Sequence, residues 1–208
     1  MLTLYFSPGA CSTASHIGVE ECGATYTEHP VLIAKGEQKT PEYAKINPRG
    51  KVPALAVDGR IITENTAILT YLARQHPAAK LLPTDPVDEA NCIATMAWFS
   101  NVVHPSYQRY MRAERFAEGD AAISNVKEMG KKSFWANLEE IDGLLAGKQW
   151  IMGDQFTVAD IYLYMLVGWQ SFVDDVQVGG DPVQEHFRRV GARPAIARAR
   201  ELDDLKPD

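Results

Sequence analysis

The chain has 208 residues, of which 46% are hydrophobic and 23% charged, a composition typical of a soluble globular protein with one large or two small domains. Its formal net charge of −6 argues against a nucleic-acid partner, because such binding depends on many contacts between phosphates and Lys or Arg. The most apolar stretch, residues 158–169, is interrupted by Asp160 and is too short to span a bilayer, so we expect no membrane partner.

The cysteine and histidine content bears on metal binding and compartment. The three cysteines, at positions 11, 22 and 92, match neither a disulfide framework nor a zinc site, and the five histidines show no ligand spacing. We therefore expect no bound metal and a reducing, cytoplasmic location. No Lys or Arg precedes the first apolar residues, and Pro8-Gly9 interrupts them, so we also expect no secretory signal.

The first part of the chain alternates strand and helix signals. Leu2 to Phe6 has the period-2 pattern of a strand, and a helix is predicted from about Cys11 to Gly23. Residues 26–32 predict a second strand, at a sheet edge because Pro30 cannot donate a ladder hydrogen bond. Thr40 followed by Pro41 predicts the N-cap and first residue of a short helix.

A β-hairpin is the clearest local signal. Two apolar runs, residues 52–57 and 60–63, are joined by Asp58-Gly59, the residue pair that type I′ turns favour. A helical run from Thr66 to His76 follows. The predicted order is therefore β-α-β-α-β-β-α, the thioredoxin arrangement.

Helical patterns dominate the rest of the chain. Helices are predicted over residues 87–116, 120–146, 157–174, 182–190 and 194–205, with Thr157 and Asp160 in capping-box spacing at the third. The arginines at 188, 189, 193, 198 and 200 are offset by nearby acids and predict a solvated helix face. We predict an α/β domain over residues 1–77, a proline-rich linker over 78–86 and an all-α domain over 87–208.

Cys11 is the first candidate functional residue. A strand, a Ser-Pro-Gly turn and a helix beginning near residue 11 would place its sulfur at a helix N-terminus, which favours an anion by about 0.3–1 kcal/mol. This would lower the pKa of the thiol. A small apolar residue packed under the helix is the alternative, and the local sequence leaves both open.

Several motifs in order resemble those of the cytosolic glutathione transferases, and the bacterial beta class with its N-terminal cysteine is the nearest match. They are Ser7-Pro-Gly-Ala-Cys-Ser12, Asn47-Pro-Arg-Gly-Lys-Val-Pro-Ala54, Glu64-Asn-Thr-Ala-Ile-Leu69 and Gly153-Asp-Gln-Phe-Thr-Val-Ala-Asp-Ile161. The resemblance covers nearly the whole chain. It implies a thioredoxin-like N-terminal domain and an all-α C-terminal domain.

The resemblance also implies a glutathione site. Val52 would pair through its backbone with the cysteinyl part of glutathione, and Pro53 would be the family's cis-proline. Glu64 would face the γ-glutamyl ammonium, while Asn65 and its helix N-terminus would meet the adjoining carboxylate. Lys35 would meet the glycine carboxylate.

For the catalytic groups, the resemblance implies Cys11 beside the glutathione sulfur and His104 reaching toward it. Ser12 and Tyr5 compete with Cys11 as the group that stabilises the thiolate. The segment Trp98 to His104 is shorter than its beta-class counterpart, and Asn101 within it would be a cross-subunit contact.

The implied protein is a cytoplasmic, homodimeric glutathione transferase active in detoxification, with glutathione as co-substrate and a small hydrophobic electrophile as acceptor. A thiol–disulfide reductase using Cys11 alone is the second hypothesis, since Ala14 replaces the second Cys of a C-x-x-C motif. A non-enzymatic ligand-binding or assembly module is the third. Whether the aromatics at 98, 107, 110, 116 and 169 line a pocket or form core is left open.

Overall fold

A computed structural model of the protein describes residues 1–172 and 179–203. Its N-terminal part is built around a four-stranded mixed sheet. The strands are β1 (Leu2–Phe6), β2 (Tyr26–Pro30), β3 (Ala54–Val57) and β4 (Arg60–Thr63), in the spatial order β2-β1-β3-β4. β1 is parallel to β2 and antiparallel to β3, and β3 is antiparallel to β4. This is the predicted thioredoxin-like sheet.

Local sequence signals explain how the strands begin and end. Leu4 and Phe6 are buried on one face of β1, as their alternation predicts. Asp58 and Gly59 both have positive φ, 47° and 83°, which confirms the type I′ hairpin. β3 begins two residues later than predicted because Pro53 has no N–H to donate to the neighbouring strand.

Three helices flank the sheet, α1 (Thr13–Glu21), α2 (Pro41–Ala44) and α3 (Asn65–Gln75). The Thr40 hydroxyl accepts the N–H of Tyr43 at 3.3 Å, which confirms the predicted N-cap of α2. Gly23, which follows α1, has φ +60°, the left-handed conformation that commonly ends a helix. α1 and α3 pack against β1 through Ile68, Leu72 and their neighbours.

The remaining helices are α4 (Pro86–Trp98), α5 (His104–Met111), α6 (Asp120–Leu145), α7 (Val158–Gly168), α8 (Asp181–Gly191) and α9 (Pro194–Asp203). The domain limits proposed from the sequence stay a prediction. Within the described ranges, no helix is both long and apolar enough to cross a membrane.

The single helix predicted over residues 87–116 is wrong. A π-helical turn over residues 99–103 joins α4 to α5, and α5 ends at Met111. Pro105 cannot donate to the carbonyl of residue 101, so the regular hydrogen-bond ladder opens just before it. The helix predicted over 157–174 also ends early, at Gly168, with a 3₁₀ turn over residues 169–172; its predicted end lies outside the described residues.

The helical part packs against α1 through an ionic contact that the sequence analysis missed. The guanidinium of Arg193 donates to both carboxylate oxygens of Glu21, at 2.6 and 2.7 Å, and Arg198 lies 3.0 Å from Glu20. Arg193 also lies over the ring of Phe156, 3.7 Å from its centroid. The expectation of a solvated arginine face is therefore wrong for Arg193, whereas the Arg198 side chain stays mostly exposed beside Glu20.

The capping box of α7 is confirmed and is buried. Thr157 caps the helix, and the carboxylate of Asp160 accepts the backbone N–H of Thr157 at 2.7 Å. The same carboxylate accepts the N–H of Ile151 and lies 2.8 Å from Nε2 of His186. A buried carboxylate with this many partners fixes the start of α7, which runs through the centre of the helical part.

Candidate active site

A cleft of about 470 Å³ lies where the β1–α1 turn faces α5. Its described lining comprises residues 7–11 and 32–34, together with His104, Tyr107, Gln108, Met111, Arg112, Arg115, Trp169 and Phe172. The volume is in the range of small-molecule sites. The structure thus brings two predicted site residues, Cys11 and His104, to one cleft although 93 positions separate them in the chain.

Cys11 lies one residue before the N-cap of α1, which is Ser12. Its Sγ donates a hydrogen bond to the carbonyl oxygen of Val52 at 3.3 Å. Burial of the sulfur raises the pKa of Cys11 to about 11; the charge of Glu64 adds to this rise, and Lys51 and backbone N–H groups oppose it. The expected low pKa is therefore wrong, because desolvation outweighs the helix terminus.

The loop that carries Val52 is held by its own side chains. The hydroxyl of Tyr43 and the amide nitrogen of Asn47 both donate to the carbonyl of Lys51, at 2.8 and 2.6 Å. The Val52–Pro53 peptide bond is cis, as the resemblance implied, and both residues are buried. These bonds hold the loop so that the Val52 carbonyl lies within hydrogen-bond distance of Cys11.

The start of α3 is fastened to the Cys11 turn by Asn65. Its amide nitrogen donates to the carbonyl of Cys11 at 2.8 Å, and its amide oxygen accepts the hydroxyl of Ser15 at 2.6 Å. The Asn65 side chain is thus engaged within the fold, which leaves the backbone N–H groups of the first turn of α3 to meet an anion.

Glu64 directly precedes α3 in an unusual backbone conformation. Its φ is +72°, in a region that residues with a Cβ rarely adopt, and its exposed side chain does not cap the helix. Such conformations persist where the surrounding structure holds them, and they cluster at functional sites. Its charge raises the pKa of Cys11, which places the carboxylate within electrostatic reach of that thiol.

Neither competitor of Cys11 presents its hydroxyl to the cleft. The buried Ser12 hydroxyl donates to the carbonyl of Ser7 at 3.1 Å and accepts the Ser7 N–H at 3.0 Å, so it holds the turn together. The ring of Tyr5 packs beside His29, with centroids 4.7 Å apart, and Tyr5 is not among the described lining residues.

His104 forms part of the cleft wall opposite Cys11. Its ring centroid lies 4.8 Å from that of Trp169, and the amide nitrogen of Gln108 lies 3.0 Å from its Nε2. Burial, and then the positive charge of Lys51, lowers the pKa of His104 to about 4. The ring is therefore neutral at pH 7, and Nε2 accepts a hydrogen bond from the amide.

The lowered pKa of His104 predicts an acid-sensitive fold. The unfolded chain takes up this proton near pH 6.5 and the folded one only near pH 4, so stability from this group is complete above pH 6.5 and is lost as the pH falls toward 4. The loss is about 2–3 kcal/mol. Urea unfolding at pH 7, 5.5 and 4 should show it, and His104→Gln should remove that part of the slope. Equal slopes in both proteins would contradict the assignment.

Of the predicted site residues, only Cys11 and His104 are among the described lining of the cleft; Val52, Pro53, Glu64 and Asn65 lie beside the Cys11 turn, and Lys35 and Asn101 also lie outside the lining. Lys35 is exposed and ends the 3₁₀ turn over residues 33–35, directly after the lining residue Ala34. Asn101 is exposed in the π-helical turn, where its amide oxygen accepts the hydroxyl of Ser100 at 3.4 Å.

The sequence analysis missed several residues around the cleft. Tyr107 and Trp169, left open between pocket and core, are stacked with centroids 4.5 Å apart and line the cleft. Lys51 acts electrostatically on both Cys11 and His104. The hydroxyl of Tyr162, on α7, hydrogen bonds to Asn65. Only the position of Lys51 beside the Val-Pro pair offered a sequence signal.

Comparisons with known proteins agree across the chain. Residues 9–75 match the glutathione S-transferase N-terminal domain model, and residues 120–189 match the C-terminal domain model. Glutathione S-transferase GstA from Escherichia coli O157:H7 is 31% identical over 210 residues, covering 99% of this chain and 100% of that protein.

Two solved structures extend the match to the fold. A glutathione transferase homologue from Sulfitobacter, with bound glutathione, has a TM-score of 0.91 at 30% identity and 99% coverage of both chains. The bacterial beta-class glutathione S-transferase of Sphingomonas chungbukensis has a TM-score of 0.86 at 31% identity, covering 98% of this chain and 99% of its own. These matches agree with the cysteine-bearing turn, the cis-proline loop and the fold described above. The chain belongs to the glutathione S-transferase family and is beta-class-like.

Proposed function

We propose that this protein binds glutathione beside Cys11 and conjugates it to hydrophobic electrophiles held in the cleft. The observation that carries the proposal is the protonated Cys11 thiol, which donates to the Val52 carbonyl at the edge of a cleft that His104 also lines. Because its pKa is raised, the Cys11 thiol stays protonated at neutral pH and can donate a hydrogen bond. The thiolate of glutathione accepts hydrogen bonds and would be stabilised by such a donor.

The residues around Cys11 suit the parts of glutathione. The backbone of Val52 would pair with the cysteinyl part, and the exposed carboxylate of Glu64 would face the γ-glutamyl ammonium. The N–H groups at the start of α3 would bind the adjoining carboxylate. Lys35 and Lys51 are exposed cations flanking the turn and would bind the glycine carboxylate.

In this mechanism the nucleophile is the sulfur of glutathione. A free thiol with a pKa of about 8.5 is about 3% ionised at pH 7, and lowering that pKa by two units gives about 75%. The Cys11 Sγ–H would turn from the Val52 carbonyl to donate to the glutathione thiolate, and Lys51 would add a favourable charge. The neutral ring of His104 would orient or hydrogen bond the sulfur without adding a charge.

Replacing Cys11 separates conjugation from disulfide exchange. Cys11→Ala should abolish turnover of a glutathione mixed disulfide, because no other described cysteine lines the cleft. Conjugation to 1-chloro-2,4-dinitrobenzene should survive with a loss of about tenfold, the usual value of one hydrogen bond to a charged group. Both rates should be measured on one preparation.

Cys22→Ala is the matched control, since Cys22 is partly buried away from the cleft and packs against the core. It should leave both activities near those of the native protein. If Cys11→Ala removes both activities, a covalent role of Cys11 replaces the hydrogen-bonding role. If the native protein conjugates no electrophile, the transferase proposal fails.

We also propose that the protein is a cytoplasmic homodimer. Its support is a surface hollow of about 500 Å³ on the side of α3 and α4, whose lining includes Ala67, Tyr71 and Ile93. Val87 on α4 and Ile61 on β4, the strand that precedes α3, are also exposed and apolar, which suits contact with a second copy.

A further inference from the structure

Two arginines stand in the wall of the cleft where it meets solvent. Arg112 follows the last residue of α5, and Arg115 ends the 3₁₀ turn over residues 113–115; both are exposed and both line the cleft. Neither forms an ion pair with a carboxylate among residues 1–172 and 179–203. In contrast, Arg193 and Arg198 are paired with glutamates.

The inner wall of the same cleft is aromatic, and its Tyr107 and Trp169 rings are largely buried. The rings of Tyr107 and Trp169 stack at an interplanar angle of 18°, and the ring of His104 packs on Trp169. Burial raises the pKa of Tyr107 to about 12, and the positive charge of Arg112 opposes that rise. Arg112 therefore lies within electrostatic reach of this wall. The cleft therefore joins an apolar aromatic surface to a cationic one.

This arrangement selects by charge. With a formal net charge of −6, the protein as a whole repels anions, so an anionic substrate gains most from local cations. Two guanidinium groups near each other repel, and an anion between them relieves that repulsion. Guanidinium groups also bind carboxylates through two parallel hydrogen bonds.

We propose that the electrophile is a planar aromatic or conjugated molecule bearing a carboxylate. Its ring lies against Tyr107 and Trp169, and its carboxylate is held by Arg112 and Arg115. The inference rests on the proposed transferase function and adds the substrate class. Arg112 and Arg115 are the specificity-determining residues.

A matched pair of electrophiles tests the proposal. 4-Chloro-3,5-dinitrobenzoate and its neutral amide react alike with glutathione: a C–S bond forms, the C–Cl bond breaks, chloride leaves, and the thiol proton passes to solvent. Dividing each enzymatic kcat/KM by the uncatalysed rate constant removes their different reactivities. The native enzyme should prefer the carboxylate at least tenfold, and raising the salt concentration should weaken that preference.

The double variant Arg112→Gln, Arg115→Gln should lose the preference through a higher KM for the carboxylate. Arg109→Gln is the control, since it removes one positive charge from the same region at a position that is not among the lining residues and whose guanidinium lies over Phe116, 5.7 Å from the ring centroid. It should keep the preference. No preference in the native enzyme, or an equal fall on both substrates in the double variant, would overturn the proposal.

A binding measurement separates this inference from the transferase proposal. 3,5-Dinitrobenzoate should bind more tightly than 3,5-dinitrobenzamide. Quenching of tryptophan fluorescence measures both affinities, because Trp169 forms part of the cleft. The double variant should lose that difference and Arg109→Gln should retain it. If neither chlorinated substrate turns over, the transferase proposal fails while the binding result still decides the charge selection. Equal affinities for the two ligands would overturn it.

Discussion

Iodoacetamide should label Cys11 at pH 7 on the order of 30 times more slowly than it labels free glutathione. With a pKa of about 11, the thiolate population of Cys11 at pH 7 is roughly 300-fold below that of a thiol with a pKa of 8.5. The greater intrinsic nucleophilicity of a more basic thiolate recovers about tenfold of this. Labelling should rise about tenfold per pH unit from pH 7 to pH 9.

Peptide mapping by mass spectrometry measures this rate without substitutions. Cys92 is fully buried and serves as an internal reference for labelling that requires unfolding. Removing the neighbouring positive charge with Lys51→Met should slow Cys11 further, because Lys51 opposes the rise in its pKa. Labelling of Cys11 faster than free glutathione at pH 7 would show an activated thiolate and contradict the structure.

Glutathione should raise the melting temperature of the native protein by about 5–10 °C at 100 times its dissociation constant. Ligand linkage at that concentration adds about 2.7 kcal/mol, and a chain of this size gains about 2–4 °C per kcal/mol. Glu64→Gln should lose most of the shift, since it keeps the shape of the side chain and removes the counter-charge of the γ-glutamyl ammonium. Differential scanning fluorimetry with and without glutathione measures it.

Glu64→Gly separates the charge from the backbone. Glycine relieves the positive φ at this position, so the variant should be about 1 kcal/mol more stable than Glu64→Ala in the absence of glutathione. Like the other variants it should gain little from the ligand. If glutathione leaves the melting temperature of the native protein unchanged, the proposed glutathione site is wrong.

Features that depend on a few consecutive residues were predicted well. The Asp58-Gly59 turn, the Thr40 cap and the Thr157–Asp160 capping box each rest on hydrogen bonds or dihedral angles within four residues. Such interactions form in the same way wherever the segment lies, so the sequence shows them. The break before His104 was not predicted, because the residues on both sides of Pro105 are helical and only the folded structure shows where the hydrogen-bond ladder opens.

The candidate site was found through motifs and could not have been assembled from periodicity. Val52 and Asn65 lie 41 and 54 positions after Cys11 and meet it through hydrogen bonds of 3.3 and 2.8 Å. Tyr107 and Trp169 are 62 positions apart and stack on each other in the cleft wall. Contacts at these separations depend on how helices pack, and local propensity carries no information about packing.

The sequence by itself determined the order of the strands and of the helices around them, several caps and turns, and the presence of a cysteine in the first turn; it did not determine the division of residues 87–116 into two helices. Only the tertiary structure decided the state of that cysteine, because the pKa of a thiol depends on its desolvation and on charges such as those of Lys51 and Glu64, which come from distant parts of the chain. It also decided which arginines are paired. Arg193 meets Glu21 across 172 positions, whereas Arg112 lines the cleft with no described carboxylate beside it. A charge acts through distance and solvent exposure, and neither is a property of the sequence until the chain has folded.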